Sequence, residues 1–385
     1  MKVVQIAGHI LAQNNMILIF CQRILYKFRV YETKMEKTEV EVMMELKGYQ
    51  KGINLGGWLS QCVSYTKEHF DTFILEDDIK KIAGWGMDHI RLPIDYDVIE
   101  TDLGEDKEEG YQHIDDCIKW CQKYHLNIVL DLHKSFGYMF DKNEVPEPDK
   151  FFTDTTLQER FYALWNKLAK RYACNKDFMI FELLNEVVNP DYAKEWNEIA
   201  AKAVGVIRKI SPDIKIIIGG VCHNSVSSVK LLGAPVDEKI VYTFHCYEPL
   251  CFTHQKAHWV ENIDFELPYP ADVNLYKEKS ALLNQNHAGE ILDHIGNVNS
   301  DYFRYMFREA IAFAKEYQVP LYCGEYGVID KAPAEDAVRW LSDINEVFSE
   351  YQIGRALWNY KQKDFGITDE HYGKVVNEML KIVTS

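Results

Sequence analysis

Two glutamates stand where two strand-like runs of the chain end. Glu186 follows the run FELLN, and Glu325 follows the run LYCG. Because an unpaired carboxylate is costly to bury, two acids at such positions favour a functional site over a core role. Two carboxylates that face each other across a cleft can cleave a glycosidic bond. One donates a proton to the leaving oxygen, and the other attacks the anomeric carbon or orients water towards it.

Polar and aromatic residues at other strand ends fit the same chemistry. Arg91 would keep Glu325 ionised through its opposite charge, and Tyr247 could donate a hydrogen bond to the same carboxylate. Asn185 could bind a sugar hydroxyl, and Trp358 offers a flat apolar face to a pyranose ring. The further candidates at strand ends are His133 and His245. Each residue alone also has a structural interpretation, since a histidine after a strand is more often a packing residue and Arg91 could simply pair with an acid.

Eight short apolar or β-branched runs alternate with amphipathic stretches from about residue 47 onwards. The runs are 51–55, 88–92, 126–132, 178–184, 214–219, 239–246, 319–324 and 353–358. Most are continuous apolar runs, which are typical of strands buried on both faces. Eight such strands with intervening helices favour a closed parallel (β/α)8 barrel, the TIM barrel. In that fold the carboxyl ends of the strands converge on one mouth, which would bring the candidate residues together.

An open doubly wound sheet is the competing arrangement. It would carry a glycine-rich turn after its first strand, but NLGGW at 54–58 lacks the G-x-G-x-x-G spacing. Two helices are predicted from periodicity alone. One contains Ile114, Cys117, Ile118, Cys121 and Tyr124 on one face. The other presents an apolar face from 157 to 172, and Thr156 with Glu159 predicts a capping box at its start.

The composition indicates a globular protein that does not bind polyanions. The chain has 385 residues, 47% of them hydrophobic, and a net charge of −16. That charge would repel phosphate backbones and anionic lipid, which disfavours nucleic acid and membranes as partners. Nine cysteines lack the spacing of zinc ligands and are interpreted as free thiols. We expect a monomer that needs neither a cofactor nor a metal.

The chain divides into two predicted parts. Residues 1–46 form an N-terminal extension whose role the sequence leaves open, and residues 47–385 form a single catalytic domain. The extension is no convincing signal peptide, so secretion and a cytoplasmic location both stay open. The distance between the sixth and seventh strands exceeds what one loop, helix and loop need, which predicts an insertion over about 250–300. Its aromatic residues either fasten it to the barrel or wall one end of the cleft.

Seven short segments of the chain carry a resemblance to a known family. They are GINLGGW (52–58), HIRLP (89–93), LDLH (130–133), ELLNE (182–186), FHCYEP (244–249), YCGEYG (322–327) and WNY (358–360). In this order they resemble the successive signature segments of glycoside hydrolase family five. The likeness is greatest to compact, single-domain bacterial endoglucanases with a retaining mechanism. It implies that Glu186 is the acid/base and Glu325 the nucleophile. The supporting positions are Arg91, His133, Asn185, His245, Tyr247 and Trp358. Trp58 and Trp259 are added as further candidates for substrate contact.

The resulting expectation is a retaining endoglucanase that cleaves β-1,4-glucosidic bonds in cellulose-like or mixed-linkage β-glucans and their oligosaccharides. Within the family, a β-1,3-glucanase or a β-mannanase is the alternative. A metal-dependent barrel hydrolase with His133, His245 and Glu325 as ligands, or an inactive sugar-binding barrel, are alternatives of other classes. For the endoglucanase, we expect the charge of Glu325 and partial burial to raise the pKa of Glu186.

Overall fold

Eight parallel strands close into a barrel in the computed structural model, which describes residues 43–385. The strands are Gly52–Asn54 (β1), His89–Asp95 (β2), Asn127–Lys134 (β3), Met179–Glu182 (β4), Ile216–Gly219 (β5), Ile240–Cys246 (β6), Leu321–Tyr326 (β7) and Gly354–Leu357 (β8). Each strand pairs with the next along the chain, and β8 pairs with β1 through Ala356 and Gly52. The predicted (β/α)8 fold is confirmed, because an open sheet would lack this last pairing.

Helices surround the barrel. The α-helices are Lys67–Thr72 (α1), Glu76–Gly84 (α2), Tyr96–Ile99 (α3), Glu108–Tyr124 (α4), Thr155–Tyr172 (α5), Ala193–Arg208 (α6), Leu250–Thr253 (α7), Val273–Leu282 (α8), Asn286–Ile295 (α9), Ser300–Tyr317 (α10), Ala334–Glu350 (α11) and Val376–Val383 (α12). Between β5 and β6 a 3-10 helix, Val226–Leu232, takes the place of an outer α-helix. The two helices predicted from periodicity correspond to α4 and α5.

The start of α5 differs from the prediction. The N-cap is Asp154, whose carboxylate accepts a hydrogen bond of 2.8 Å from the backbone N–H of Thr156. Asp154 therefore satisfies a free N–H group at the helix start, as N-cap residues do. The capping box of Thr156 and Glu159 was wrong, because Thr156 already lies inside the helix. Glu159 instead pairs with Lys202 of α6.

The interior of the barrel changes from apolar to charged along the strands. Val129 of β3 and Ile180 of β4 belong to a buried apolar cluster within the barrel. Side chains two positions apart on a strand point to the same face. The next inward positions on these strands are therefore Asp131 and Glu182, and both are fully buried. A charged layer thus lies directly below the mouth at which the strands end.

The segment between β6 and α10 contains the insertion, with helices α7, α8 and α9. Its Tyr269 binds α11 twice, because the backbone N–H donates to Asp336 (3.0 Å) and the hydroxyl to Asp343 (2.8 Å). These bonds fasten the insertion to the outer layer of the barrel. The proposed limits of the domain and of its insertion remain predictions. The predicted extension, residues 1–46, falls almost wholly outside the described residues.

Two further features concern residues 43–385 only. In this range, none of the helices has both the length and the apolar character needed to cross a membrane. The eight cysteines that lie within it are free thiols.

Candidate active site

A cleft of about 860 Å³ opens at the carboxyl ends of the strands. Glu186, Glu325, His245, Tyr247 and Trp358 all line it. Their positions follow from the barrel, because β6 and β7 end at the mouth and the chain leaves β4 and β8 there. The structure therefore brings these five residues together, all of which the sequence analysis selected.

The two glutamates lie close together in this cleft. One carboxylate oxygen of Glu186, one oxygen of Glu325 and one ring nitrogen of His245 all lie within 4.8 Å of one another. Glu325 is held from two sides. Arg91 Nη1 donates to its Oε1 at 2.7 Å, and the Tyr247 hydroxyl donates to its Oε2 at 2.9 Å. Both contacts match the partners expected from the sequence, and they place a positive charge and a hydroxyl donor against the two oxygens of this carboxylate.

Arg91 connects the charged layer of the barrel to the cleft. It lies inside β2 and is fully buried, whereas the sequence analysis placed it at the strand end. Besides Glu325, its guanidinium binds the carboxylates of Glu182 (2.7 Å) and Asp131 (2.9 Å). Its Nη2 also donates to Asn185 Oδ1 at 3.0 Å. Asn185 is thus buried beneath the cleft and oriented by Arg91.

The acids below the mouth, Asp131 and Glu182, were missed by the sequence analysis. A detectable signal existed, since an acid inside an otherwise apolar strand needs a buried partner. Burial raises the pKa of Asp131 to about 6, although the charge of Arg91 opposes this change. Burial likewise raises the pKa of Glu182, again against the effect of Arg91. One arginine therefore has several acids to neutralise, and protonation of the acids relieves part of the excess negative charge.

Glu186 lies between two imidazoles. His245 Nδ1 is 2.8 Å from its Oε1, and His223 Nδ1 is 3.4 Å from its Oε2. Burial raises the pKa of Glu186, but the hydrogen bonds from His223 and His245 outweigh burial and lower it overall. The expected rise was therefore wrong, because the sequence analysis considered the charge of Glu325 and not these histidines. His223 was missed, and its place in the turn GGVCHN after a strand was the available signal.

His133 is buried beside the cleft, and both of its ring nitrogens have partners. Nδ1 is 2.7 Å from Asp131, and Nε2 is 2.8 Å from the side-chain amide of Gln61. Burial lowers the pKa of His133 to about 4, so the ring is neutral near pH 7. Its ring also stacks with that of Trp358, at 6.0 Å between centroids. His133 is therefore a support for Trp358.

These contacts bear on the metal alternative. His133 has no free nitrogen for an ion, whereas Glu186, His245 and Glu325 offer three ligand atoms that could physically meet one. The guanidinium of Arg91, at 2.7 Å from Glu325, places a positive charge against that same position. Two cations so close together repel each other strongly where the dielectric constant is low. The arrangement suits an ionised glutamate next to an arginine better than a metal centre.

The two additional tryptophans differ in position. Trp58 is fully buried, and its indole N–H donates to the carbonyl oxygen of Phe70 at 2.9 Å. Its ring therefore packs in the core and does not reach the cleft, contrary to expectation. Trp259, in the insertion, lines the cleft and is 47% exposed. Its ring lies edge-to-face with both His258 and His254, at 4.7 and 6.2 Å between ring centroids.

Comparison with known proteins decides the family. The model of the family described as Cellulase (glycosyl hydrolase family 5) matches residues 46–364. The chain belongs to glycosyl hydrolase family 5. This family 5 enzyme is 44% identical to cellodextrinase A of Ruminococcus flavefaciens over 313 residues, which cover 81% of the chain and 86% of that relative. It is 41% identical to endoglucanase C of Acetivibrio thermocellus over 342 residues, with 87% and 98% coverage.

Solved structures support the fold of this family 5 enzyme. Thermotoga maritima Cel5A in complex with cellobiose has a TM-score of 0.67 at 23% identity, covering 88% of this chain and 98% of that chain. The cellulose synthase subunit Z of Clostridioides difficile has a TM-score of 0.69 at 23% identity, with 88% and 100% coverage. At this level of identity the likeness concerns the barrel only. The chain is a glycoside hydrolase by family and a (β/α)8 barrel by structure.

Proposed function

We propose that this enzyme is a retaining endo-β-1,4-glucanase in which Glu186 is the acid/base and Glu325 the nucleophile. The observation that carries the proposal is the separation of the two carboxylates, whose nearest oxygens lie within 4.8 Å. Retaining glycosidases hold the carboxyl groups roughly 5–5.5 Å apart, a spacing with which oxygens this close agree, whereas inverting ones need roughly 6.5–9.5 Å between the groups to admit a water. The names of the endoglucanase C relatives support β-1,4-glucan as the substrate.

The first step forms a bond between Glu325 and the anomeric carbon of the sugar. Arg91 and Tyr247 fix the direction of the Glu325 carboxylate through hydrogen bonds of 2.7 and 2.9 Å. Glu186 donates a proton to the glycosidic oxygen as the bond to the leaving sugar breaks. Trp358 supports the sugar ring from the mouth of the cleft, and His133 stacks behind it.

The second step reverses the role of Glu186. After the leaving sugar departs, Glu186 is ionised and accepts a proton from a water molecule. That water attacks the anomeric carbon, breaks the bond to Glu325 and leaves the product with its original configuration. His245 lies 2.8 Å from Glu186 and 3.7 Å from Glu325, so its imidazole faces both carboxylates during this exchange.

Replacement of each glutamate by alanine, followed by addition of azide, tests these roles. With an activated aryl β-cellobioside, Glu325→Ala should give α-cellobiosyl azide, because azide takes the space that the nucleophile vacates. Glu186→Ala should give the β-azide, because azide attacks the glycosyl–enzyme in place of water. Exchanged configurations would show that the two roles are reversed, and an absence of azide products from both variants would contradict the retaining mechanism.

Substrate preference within this proposal concerns chain length. The enzyme acts as a monomer on a β-glucan chain that lies along the cleft. Cleavage within the chain should lower the viscosity of a soluble β-1,4-glucan before many reducing ends appear. The relative named cellodextrinase A, at 44% identity, favours a second candidate, an enzyme of short β-1,4-linked oligosaccharides. That candidate predicts a proportional rise of reducing ends with little early loss of viscosity.

A further inference from the structure

An unusual turn follows β5 at the edge of the cleft. Cys222, His223 and Asn224 have φ angles of 56°, 54° and 58°, so three successive residues other than glycine adopt the left-handed conformation. Such conformations are sparsely populated for residues with a side chain and persist only where the surrounding structure imposes them. A run of three such residues therefore indicates that contacts with neighbouring segments hold this turn in place.

Hydrogen bonds tie this turn to the strands on both sides. The backbone N–H of His223 donates to the carbonyl oxygen of Val187 at 3.1 Å, directly next to Glu186. The backbone N–H of His245 donates to the carbonyl oxygen of Asn224 at 2.8 Å. The side chain of Asn224 is fully buried, and its Oδ1 accepts from the N–H of Gly220 at 2.8 Å. The turn is thus fixed relative to both Glu186 and His245.

The result is that each oxygen of Glu186 faces its own imidazole. His245 Nδ1 lies 2.8 Å from Oε1, and His223 Nδ1 lies 3.4 Å from Oε2. The two histidines differ in environment, because the His245 side chain is 2% exposed and that of His223 is 58% exposed. His223 therefore reaches Glu186 from the solvent side, where protons exchange with water.

We infer that His223 is a positioning residue for the acid/base Glu186, which it orients through Oε2 and with which it shares a proton. This inference rests on the proposed role of Glu186. In the free enzyme one proton occupies the Glu186–His223 pair, so the loss of that proton at high pH belongs to the pair and not to either residue. The alkaline limb of the kcat/KM profile therefore lies at a higher pH in the wild-type enzyme than in an enzyme that has Glu186 but lacks His223.

Other titratable groups face this pair and are unchanged when His223 is replaced. They are Glu325 from β7, His245 and Tyr247 from β6 and its end, His133 and Asp131 from β3, His254 from the insertion and Lys142 from the loop after β3. The hydrogen bond to Glu186 raises the pKa of His223, and burial, His245 and Lys142 oppose this rise. Because solvent screens an exposed imidazole, the expected shift of the limb is modest.

The test compares pH profiles of His223→Asn with those of Cys222→Asn, the matched control in the same turn. Asparagine tolerates the left-handed conformation, so both variants keep the backbone while only one loses the imidazole. The substrates are phenyl β-cellobioside, whose leaving group needs a proton, and 2,4-dinitrophenyl β-cellobioside, whose leaving group does not. In His223→Asn the alkaline midpoint of kcat/KM should fall by at least about half a pH unit for the phenyl substrate. The loss of activity should be several-fold larger for that substrate than for the dinitrophenyl one.

A second variant covers the case in which His223→Asn does not fold. His223→Gln retains a hydrogen-bond donor towards Glu186 but cannot titrate, so it should show the same shift of the limb with a smaller loss of activity. An unchanged limb, equal losses on both substrates, or the same effect in Cys222→Asn would overturn the role of His223. A wild-type enzyme that hydrolyses neither aryl cellobioside would instead contradict the proposed function.

Discussion

The replacement Arg91→Met tests the charged layer beneath the active site. Arg91 is fully buried and contacts three carboxylates, those of Asp131, Glu182 and Glu325, at 2.7–2.9 Å. Methionine fills part of the space but supplies no charge and no donor. Arg355→Met is the matched control, because Arg355 is almost as deeply buried. Its guanidinium binds the Asn345 side chain and backbone oxygens, with no acidic side chain among them.

The expected magnitude follows from the loss of one partner in a buried ionic cluster. Such a loss costs about 3–5 kcal/mol, which lowers the Tm of a domain of this size by about 4–7 °C. Loss of the arginine should also raise the pKa of Asp131 and of Glu182 by about 1–3 units each, since an opposite charge at contact distance lowers a carboxyl pKa by that amount. Each unit corresponds to about 1.4 kcal/mol.

These pKa shifts make the stability of Arg91→Met depend on pH. Burial already raises the pKa of Asp131 to about 6, and the variant raises it further. Above about pH 4 the folded variant then binds more protons than the unfolded chain, so its stability falls as the pH rises. The loss of stability relative to wild type should grow by about 1.4–4 kcal/mol, or about 2–6 °C in Tm, between pH 5 and pH 8. At pH 5 Asp131, whose pKa is raised to about 6 by burial, is largely protonated and needs the arginine less.

Differential scanning fluorimetry at pH 5 and pH 8, at one scan rate, measures this difference. Arg355→Met should lose stability to the same extent at both pH values. Equal losses for Arg91→Met at the two pH values would refute the reasoning, because the acids below the mouth would then not depend on Arg91 for their charge.

Two more predictions concern the cleft and the helix start. Trp259→Ala should reduce kcat/KM on long cello-oligosaccharides several-fold and leave kcat/KM on short aryl cellobiosides unchanged, because a stacked aromatic contributes on the order of 1 kcal/mol. Equal losses on both substrates or a collapse of Tm would favour a packing role for Trp259. Asp154→Ala should destabilise the enzyme by about 1 kcal/mol, seen as a Tm about 1.4 °C lower, whereas Thr156→Ala should change little. The reverse order would restore the capping box at Thr156.

The strands and the order of the elements were predictable from the sequence. Each of the eight predicted runs overlaps one strand of the barrel, because buried parallel strands are continuous apolar runs bounded by turns. The capping residue of α5 was misplaced by two positions, since Asp154 and Thr156 both belong to the residue types that cap helices. Local preference alone does not decide between two such residues.

The site residues at strand ends were predictable from the sequence. Those buried inside the barrel or carried by a loop were not. Glu186 and Glu325 were found because an acid after an apolar strand is conspicuous. Asp131 was overlooked although an acid inside an apolar strand was a signal, because its depth within the barrel cannot be read from spacing. Trp58 was misjudged because spacing does not show how a large ring packs. His223 was missed because its place after a strand was the only signal in GGVCHN, and the left-handed turn that brings its imidazole to Glu186 cannot be read from that sequence.

The most direct test of the central claim is to trap the glycosyl–enzyme. Incubation with 2-deoxy-2-fluoro-β-cellobiosyl fluoride slows both steps but leaves the first one faster, so the covalent intermediate accumulates. Peptic digestion and mass spectrometry then locate the attached sugar. The account predicts that the label lies on Glu325 and that cellobiose prevents labelling by competition. A label on Glu186, or enzyme that turns over other cellobiosides yet acquires no label, would contradict it.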